Sequence, residues 1–254
     1  MSVSIVDYSS MHTQDFDDSY FLSREKDVKN RTRMHQIDFK YVIKSIGMIQ
    51  KNQTLNLLDI GCSDGSFLSH FKDYGFKLYG IEPNKKESLK ASMRGINIID
   101  SINKMHELDV IILRGTLHHL PNHQLIFDQI FKAFFRSRNQ KSKYIFILAE
   151  PNKECFIYKK FKRLPAIEEN LSFKSNYQIF GANELSQYFK RLGFKTKISY
   201  PYFKSPYRNL FRDLYAYVKM YFKKEYSATP MYRNMFNLVV FIPFDFKMAT
   251  LKKF

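Results

Sequence analysis

The sequence predicts an α/β fold built on a doubly wound, largely parallel sheet with helices on both faces. Three observations carry that prediction. Leu55–Tyr74 reads as strand, glycine turn and helix in immediate succession. A second strand, Lys77–Glu82, ends in an acid 21 positions after Gly61. Further apolar runs at 108–113 and 144–149 alternate with segments of helical spacing, the pattern of a layered βα architecture.

Taken in order, residues 1–19 are polar and acidic, with Asp15, Asp17 and Asp18, and form a loose lead-in. Tyr20 to about Gln50 is helical, with a partial apolar face at Ile37, Tyr41, Ile46 and Ile49. Lys51-Asn52-Gln53 is a polar turn. Leu55, Leu57, Leu58 and Ile60 then make a strand covered on both faces. Gly61-Cys62-Ser63-Asp64-Gly65 breaks it. A tight turn needs positive φ, and a ligand backed against the main chain leaves no room for a Cβ. A helix follows through Phe67, Leu68, Phe71 and Tyr74, with Gly75 as its stop. Its first amides, at Ser66 and beyond, would face an anion or a polar tail.

Glu82 at the tip of the second strand can accept both hydroxyls of a ribose. A helix covers Lys85 to Met93 and is stopped by Gly95. Ile96–Ile99 is a third strand with Asp100 at its end. Leu108–Leu113 is the fourth and is apolar enough to be central. Arg114-Gly115-Thr116 ends it, at the far side of the switch point where a crevice opens. Pro121-Asn122 begins the next helix, which carries Leu125, Ile126, Gln129, Ile130 and Ala133. Tyr144–Ala149 is the fifth strand, closed by Glu150-Pro151-Asn152 at the same edge as Glu82 and Arg114. Asn183 caps a helix that Gly193 terminates. Phe194–Tyr200 and Asn237–Ile242 are strands. Between them, residues 206–224 carry Tyr207, Phe211, Leu214, Tyr215 and Val218 on one helical side.

Three stretches now resemble a family. Leu57–Ser66, Tyr79–Asn84 and Asp109–Asn122 look like the first, second and fourth-strand motifs of class I S-adenosylmethionine-dependent methyltransferases. They stand in the family's order and at its spacing. The resemblance implies a Rossmann-like doubly wound sheet of seven strands, the last antiparallel, where the sequence alone shows five βα-type units and a looser tail. It implies S-adenosyl-L-methionine as cofactor and a binding set of Asp59, Gly61, Cys62, Ser63, Gly65, Glu82, Pro83, Asp100, Ser101, Arg114 and Gly115. The Gly61–Gly65 loop would hold the methionine part, Glu82 the ribose, and Asp100 with Ser101 the adenine. Asp59 would brace the loop. Asp100 reads equally as a turn aspartate before Ser101. The family's loop is often Gly-x-Gly-x-Gly, and Ser63 stands at the middle glycine. Ser63 and Ser66 also argue against the Gly-x-Gly-x-x-Gly loop of nicotinamide enzymes. The implied organisation is an N-terminal helical cap over 1–53 and a methyltransferase domain over 54–254. Substrate-covering insertions would lie at about 153–180 and 201–236. Tyr20 and Arg24 could then reach the cofactor or substrate; the competing reading is a solvated helix start.

Composition limits the partners. At 254 residues the chain is long enough for one α/β domain with additions. Two cysteines, Cys62 and Cys155, suit a reducing, cytoplasmic setting and give no zinc-type spacing. No signal peptide and no run of transmembrane length is visible. The net charge is +17. Residues 1–150 carry 21 Lys and Arg against 17 Asp and Glu, whereas residues 151–254 carry 20 against 7. That asymmetry points to an anionic partner or to a merely basic surface.

For chemistry, His118 and His119 follow the fourth strand at the mouth of the crevice, where an imidazole can take a proton from a hydroxyl. Glu150 is a second candidate for acid–base work; it reads equally as a structural acid before proline. The acceptor implied by the resemblance is a small molecule, such as a saccharide or nucleotide-linked sugar. RNA is the alternative, because basic and aromatic residues interleave from Cys155 to Tyr232. It is not favoured, since no RNA-binding module is recognisable. Helix 206–224 could touch a membrane surface, or pack on the sheet or on a second subunit. A non-catalytic cofactor-binding or membrane-surface protein is the further alternative. The sequence does not set the oligomeric state.

Overall fold

The computed structural model of the protein describes residues 28–47, 54–120, 122–136, 142–154, 179–202 and 235–243. Tyr20 and Arg24, Ile49, most of the 153–180 insertion and the 206–224 helix lie outside the described residues. Seven strands form one sheet: β1 (Leu55–Ile60), β2 (Phe76–Ile81), β3 (Asn97–Ile98), β4 (Val110–Arg114), β5 (Lys143–Glu150), β6 (Lys195–Ser199) and β7 (Phe236–Ile242). Their order is β3-β2-β1-β4-β5-β7-β6. All pairings are parallel except those of β7, which lies antiparallel between β5 and β6. The order reverses between β1 and β4, so the crevice opens above their carboxyl ends.

The strands bury both faces, and their side chains divide between two cores with period two. Leu58, Ile60, Ile111, Leu113, Ile145 and Ile147 face a core closed by α3 (His123–Arg136) and α4 (Ala182–Arg191). Leu57, Val110, Ile112, Phe146 and Leu148 face the other, closed by α1 (Val28–Ile46), the short helix Leu68–Tyr74 and α2 (Lys85–Met93). α2 starts where Asn84 Oδ1 accepts the Lys86 and Glu87 amides at 3.0 and 3.1 Å. Among the described residues no helix is long and apolar enough to cross a membrane.

Three local expectations are corrected. The helix after the glycine turn is 3-10, with Gly75 left-handed at φ 72° behind it. Ser69 Oγ shares the Gly65 carbonyl with the Ser69 amide, the side-chain competition that loosens an α-turn. The inward face of α1 is led by His35, Asp38 and Val42, with Tyr41 and Ile46 partly buried against the same core; Ile37 is not among the residues packed there. α4 is capped at Gly181, not at Asn183. Glu154 reaches across to accept the amides of Asn183 and Glu184, leaving Asn183 inside the first turn.

Candidate active site

The turn after β1 is held from two sides. Gly61 sits at φ 79° and Gly65 at φ 73°. A Cβ on Gly61 would stand 2.7 Å from both Thr116 Cγ2 and Oγ1, so this turn and the one after β4 are in direct contact. Gly61→Ala therefore combines overpacking with a left-handed backbone, and a loss of about 2 kcal/mol in unfolding free energy is expected. Chemical denaturation checks it; an unchanged midpoint would mean that Thr116 yields freely. Ser63, at the family's middle-glycine position, adopts φ 51° despite its side chain. Its hydroxyl donates to Glu87 at 3.0 Å, and its amide donates to Glu82 Oε2 at 2.9 Å. Glu82 Oε1 accepts the Asn84 amide. The acid at the tip of β2 is thus set directly against the loop.

Ser66 departs from expectation. Its amide and hydroxyl both donate to Asp64 Oδ1, at 3.1 and 2.7 Å, so that amide is not presented to a ligand. Asp64 also meets Arg31 of α1 and Arg94. Burial pushes the Asp64 carboxyl up, but the Ser66 hydrogen bonds and the two guanidinium charges outweigh it and hold the group below its ordinary value. Asp59, at the end of β1, is 2% exposed, and its Oδ1 has no hydrogen-bond partner among the described residues. Burial drives this carboxyl well above the usual range; Arg114 opposes the rise and Glu82 adds to it. Cys62 is buried over Gly80, where any Cβ would meet its sulfur. Burial, then Asp59 and Glu82, raises the thiol.

Across the crevice, Gly115 turns at φ 58° and Glu150 reaches back from β5. Glu150 Oε1 accepts the Thr116 and Leu117 amides at 2.7 and 2.8 Å. Its Oε2 lies 2.7 Å from His118 Nδ1. The His118 and His119 rings stand 3.9 Å apart. Ala149, just before Glu150, is left-handed at φ 52°, where the pairing of β5 with β7 shifts register. Asn237 Oδ1 holds the Ala149 amide at 2.8 Å.

Behind both turns lies a buried hub. Asp38 of α1 accepts Arg114 Nε and Asn237 Nδ2, each at 2.8 Å, and the Tyr202 hydroxyl. Arg114 also lies over the Phe67 ring at 5.2 Å. Burial would lower the Arg114 pKa, but Asp38 foremost, then Tyr202 and Asp59, raise it. His35, beside Phe67 and His70, is pushed down to about 2, first by burial and then by Arg114 and Arg31.

Asp59, Gly61, Cys62, Ser63, Gly65, Glu82, Pro83, Arg114, Gly115, His118, His119 and Glu150 therefore gather at the carboxyl ends of β1, β2, β4 and β5. Asp100 stands at the same edge beyond β3, but its side chain is 71% exposed and paired with Lys104 at 2.7 Å. Ser101 caps a short turn by accepting the Asn103 amide. Asp38, His35, Glu87, Tyr202 and Asn237 were not singled out by sequence reasoning. Only Asn237 carried a signal, a lone amide in an apolar strand.

The donor set suits S-adenosylmethionine. Glu82, whose two oxygens accept the Ser63 and Asn84 amides, stands at the tip of β2 beside the loop, and Asp59 Oδ1 is buried without a hydrogen-bond partner among the described residues. The comparisons agree. The solved plantazolicin methyltransferase BpumL, in complex with a monoazolic desmethylPZN analog and SAH, aligns over 94% of this chain and 95% of its own. Its identity is 17% and its TM-score 0.59. A SAM-dependent methyltransferase from Archaeoglobus fulgidus aligns over 89% and 100% at 18% identity, with a TM-score of 0.55. Mycolic acid cyclopropane synthase CmaA1, complexed with SAH and CTAB, covers 84% of each chain at 13% identity and a TM-score of 0.54. These likenesses carry the fold. No curated protein matches the sequence significantly. The family described as "Methyltransferase domain" matches residues 31–197, well over half of the chain and spanning both turns of the crevice. The chain belongs to that family and is an S-adenosylmethionine-dependent methyltransferase of the Rossmann-like class.

Proposed function

We propose that the enzyme methylates a small-molecule acceptor, with saccharides and nucleotide-linked sugars the leading class. The observation behind this reading is the gathering of the Gly61–Gly65 loop, Glu82, His118 and Glu150 at one edge of the sheet. The cofactor supplies an electrophilic methyl group when bound, so the protein's work is alignment and proton removal. Glu82 holds the ribose, the Gly61–Gly65 loop the amino-acid end, and Pro83, Arg114 and Gly115 line the crevice. Asp59 braces the loop end. Asp100 and Ser101 flank the adenine, for which Asp100 would turn from Lys104. The segment 1–53 acts as a cap; α1 already meets the loop through Arg31 and Asp64. Segments 153–180 and 201–236 cover the acceptor. A cytoplasmic setting suits the buried free thiol of Cys62.

Calorimetric titration with S-adenosylmethionine tests the cofactor assignment. Glu82→Ala is expected to weaken binding by about 1.5–3 kcal/mol, roughly 10- to 150-fold. Unchanged affinity would remove Glu82 from this role. Labelled donor incubated with a metabolite extract and read by mass tests the acceptor class. One observation favours RNA instead: the 20 Lys and Arg against 7 Asp and Glu in residues 151–254. RNA as acceptor predicts binding that falls steeply with salt, and no retention on RNA at low salt would end that version.

A further inference from the structure

We propose that Ser63 and Glu87 are positioning residues for the cofactor ribose: they lock the Glu82 carboxylate in place through a closed circuit of hydrogen bonds between the β1 turn and the start of α2. This deepens the cofactor reading and rests on the assignment of Glu82 to the ribose.

The circuit runs through four residues. The Ser63 amide donates to Glu82 Oε2 at 2.9 Å. Glu82 Oε1 accepts the Asn84 amide at 2.9 Å. Asn84 Oδ1 accepts the Glu87 amide at 3.1 Å. Glu87 Oε2 accepts the Ser63 hydroxyl at 3.0 Å, which returns to the start. A carboxylate has about four lone-pair sites, and one amide on each oxygen of Glu82 fixes its plane.

Two local rules are broken along this circuit, and each break serves it. The acid three positions after a helix-capping residue ordinarily turns back to that residue's amide. Here Asn84 caps α2, its amide goes to Glu82, and Glu87 turns to Ser63 instead. Glu87 is 4% exposed. Lys90 meets its Oε1 at 2.8 Å, so the charge of this buried carboxylate is compensated while Oε2 is turned to the loop. The second break is Ser63 itself. At φ 51° a glycine would sit without strain, and a serine persists there only where its surroundings impose it. What the serine adds is the hydroxyl that ties the turn to α2. Without that tie the Ser63 amide rides on a turn held less firmly. A ribose would then meet a carboxylate that has to be ordered on binding, and the cost falls on affinity.

Ser63→Gly is the informative variant, because it relieves the left-handed backbone while removing the hydroxyl. Calorimetric titration with S-adenosylhomocysteine should show it binding about 5- to 20-fold more weakly than wild type, although glycine suits the turn better. Glu87→Ala should lose a similar factor in the wild-type background and no more than about two-fold further in the Ser63→Gly background, since both changes remove one contact. The loss should reside in the sugar. Against an analogue of S-adenosylhomocysteine lacking both ribose hydroxyls, wild type and Ser63→Gly should bind within about two-fold of each other. Thermal midpoints of the same samples keep a binding loss apart from an unfolded fraction. Ser63→Gly binding as tightly as wild type, losses that add in the double variant, or a loss undiminished with the analogue would each overturn the proposal. Glu82→Ala separates the two readings. If it leaves S-adenosylhomocysteine affinity unchanged, the ribose assignment fails and the positioning role with it. If it weakens binding while Ser63→Gly does not, the ribose assignment stands and the positioning role alone fails.

Discussion

Replacing Asp38 by Ala is expected to destabilise the protein by about 3–5 kcal/mol, the cost of stranding one member of a buried ion pair. Asp38 is fully buried and receives three side chains from three parts of the chain: Arg114, Tyr202 and Asn237. Its removal leaves a guanidinium only 14% exposed without its counter-charge. Urea unfolding should show the midpoint fall with an unchanged slope. Asp38→Asn keeps one accepting oxygen but loses the charge and puts an NH2 where the other oxygen accepted, so its loss should be smaller than that of Ala but not negligible. Nearby Asp59 Oδ1 has no hydrogen-bond partner among the described residues. A loss below about 1 kcal/mol would show that Arg114 re-pairs there, and that the hub contributes little.

Acidification should reveal His35 as a second weak point. Its pKa is about 2 in the folded protein against an ordinary 6.5. Between those values the unfolded chain binds a proton that the folded one does not. Stability is therefore full above pH 6.5 and falls as the pH drops below it. By pH 4.5 the loss from this group is on the order of 2–3 kcal/mol. Burial comes first among the causes, then the charges of Arg114, Arg31 and His70, with Asp64 opposing. Two neighbours behave differently. Asp64, held below its ordinary value, withdraws its stabilisation only near and below pH 3.8. Asp59, held above it, adds relative stability as it protonates. Comparing wild type with His35→Gln cancels both. The difference between their unfolding free energies should change by about 2–3 kcal/mol from pH 7 to 4.5; parallel profiles would show that the imidazole finds a way to charge in place.

The parts of the site legible in the sequence are those whose residues are close along the chain. Gly61 to Gly65 and the acid at Glu82 are tied by strand length and turn geometry, so spacing alone placed them together. Gly75, Gly95 and Gly193 marked the element ends, because each takes a left-handed backbone there. Glu150 was placed at the right edge, since strand ends in a parallel sheet share one side. Its grip on His118 was not legible, because it depends on a register shift against β7, 86 or more residues further along. Asp38 was missed for a similar reason. It pairs across 199 positions with Asn237, and a buried carboxylate on a helix looks locally like any solvated one. The Gly181 cap was misread because Glu154, 29 positions before Asn183, supplied what Asn183 normally would.

The position of β7 bears on how the protein is made. During synthesis β5 leaves the ribosome long before its outer neighbour exists, and β6 emerges with nothing to join it to the sheet. Until residues 236–242 arrive, the nascent chain displays an unpaired apolar edge, the kind that recruits other strands. The same arrival delivers Asn237, which reaches both the first helix and the bend before Glu150. Sheet closure and fixing of the bend before Glu150 are thus a single late event, and a chain caught before it would be prone to aggregate.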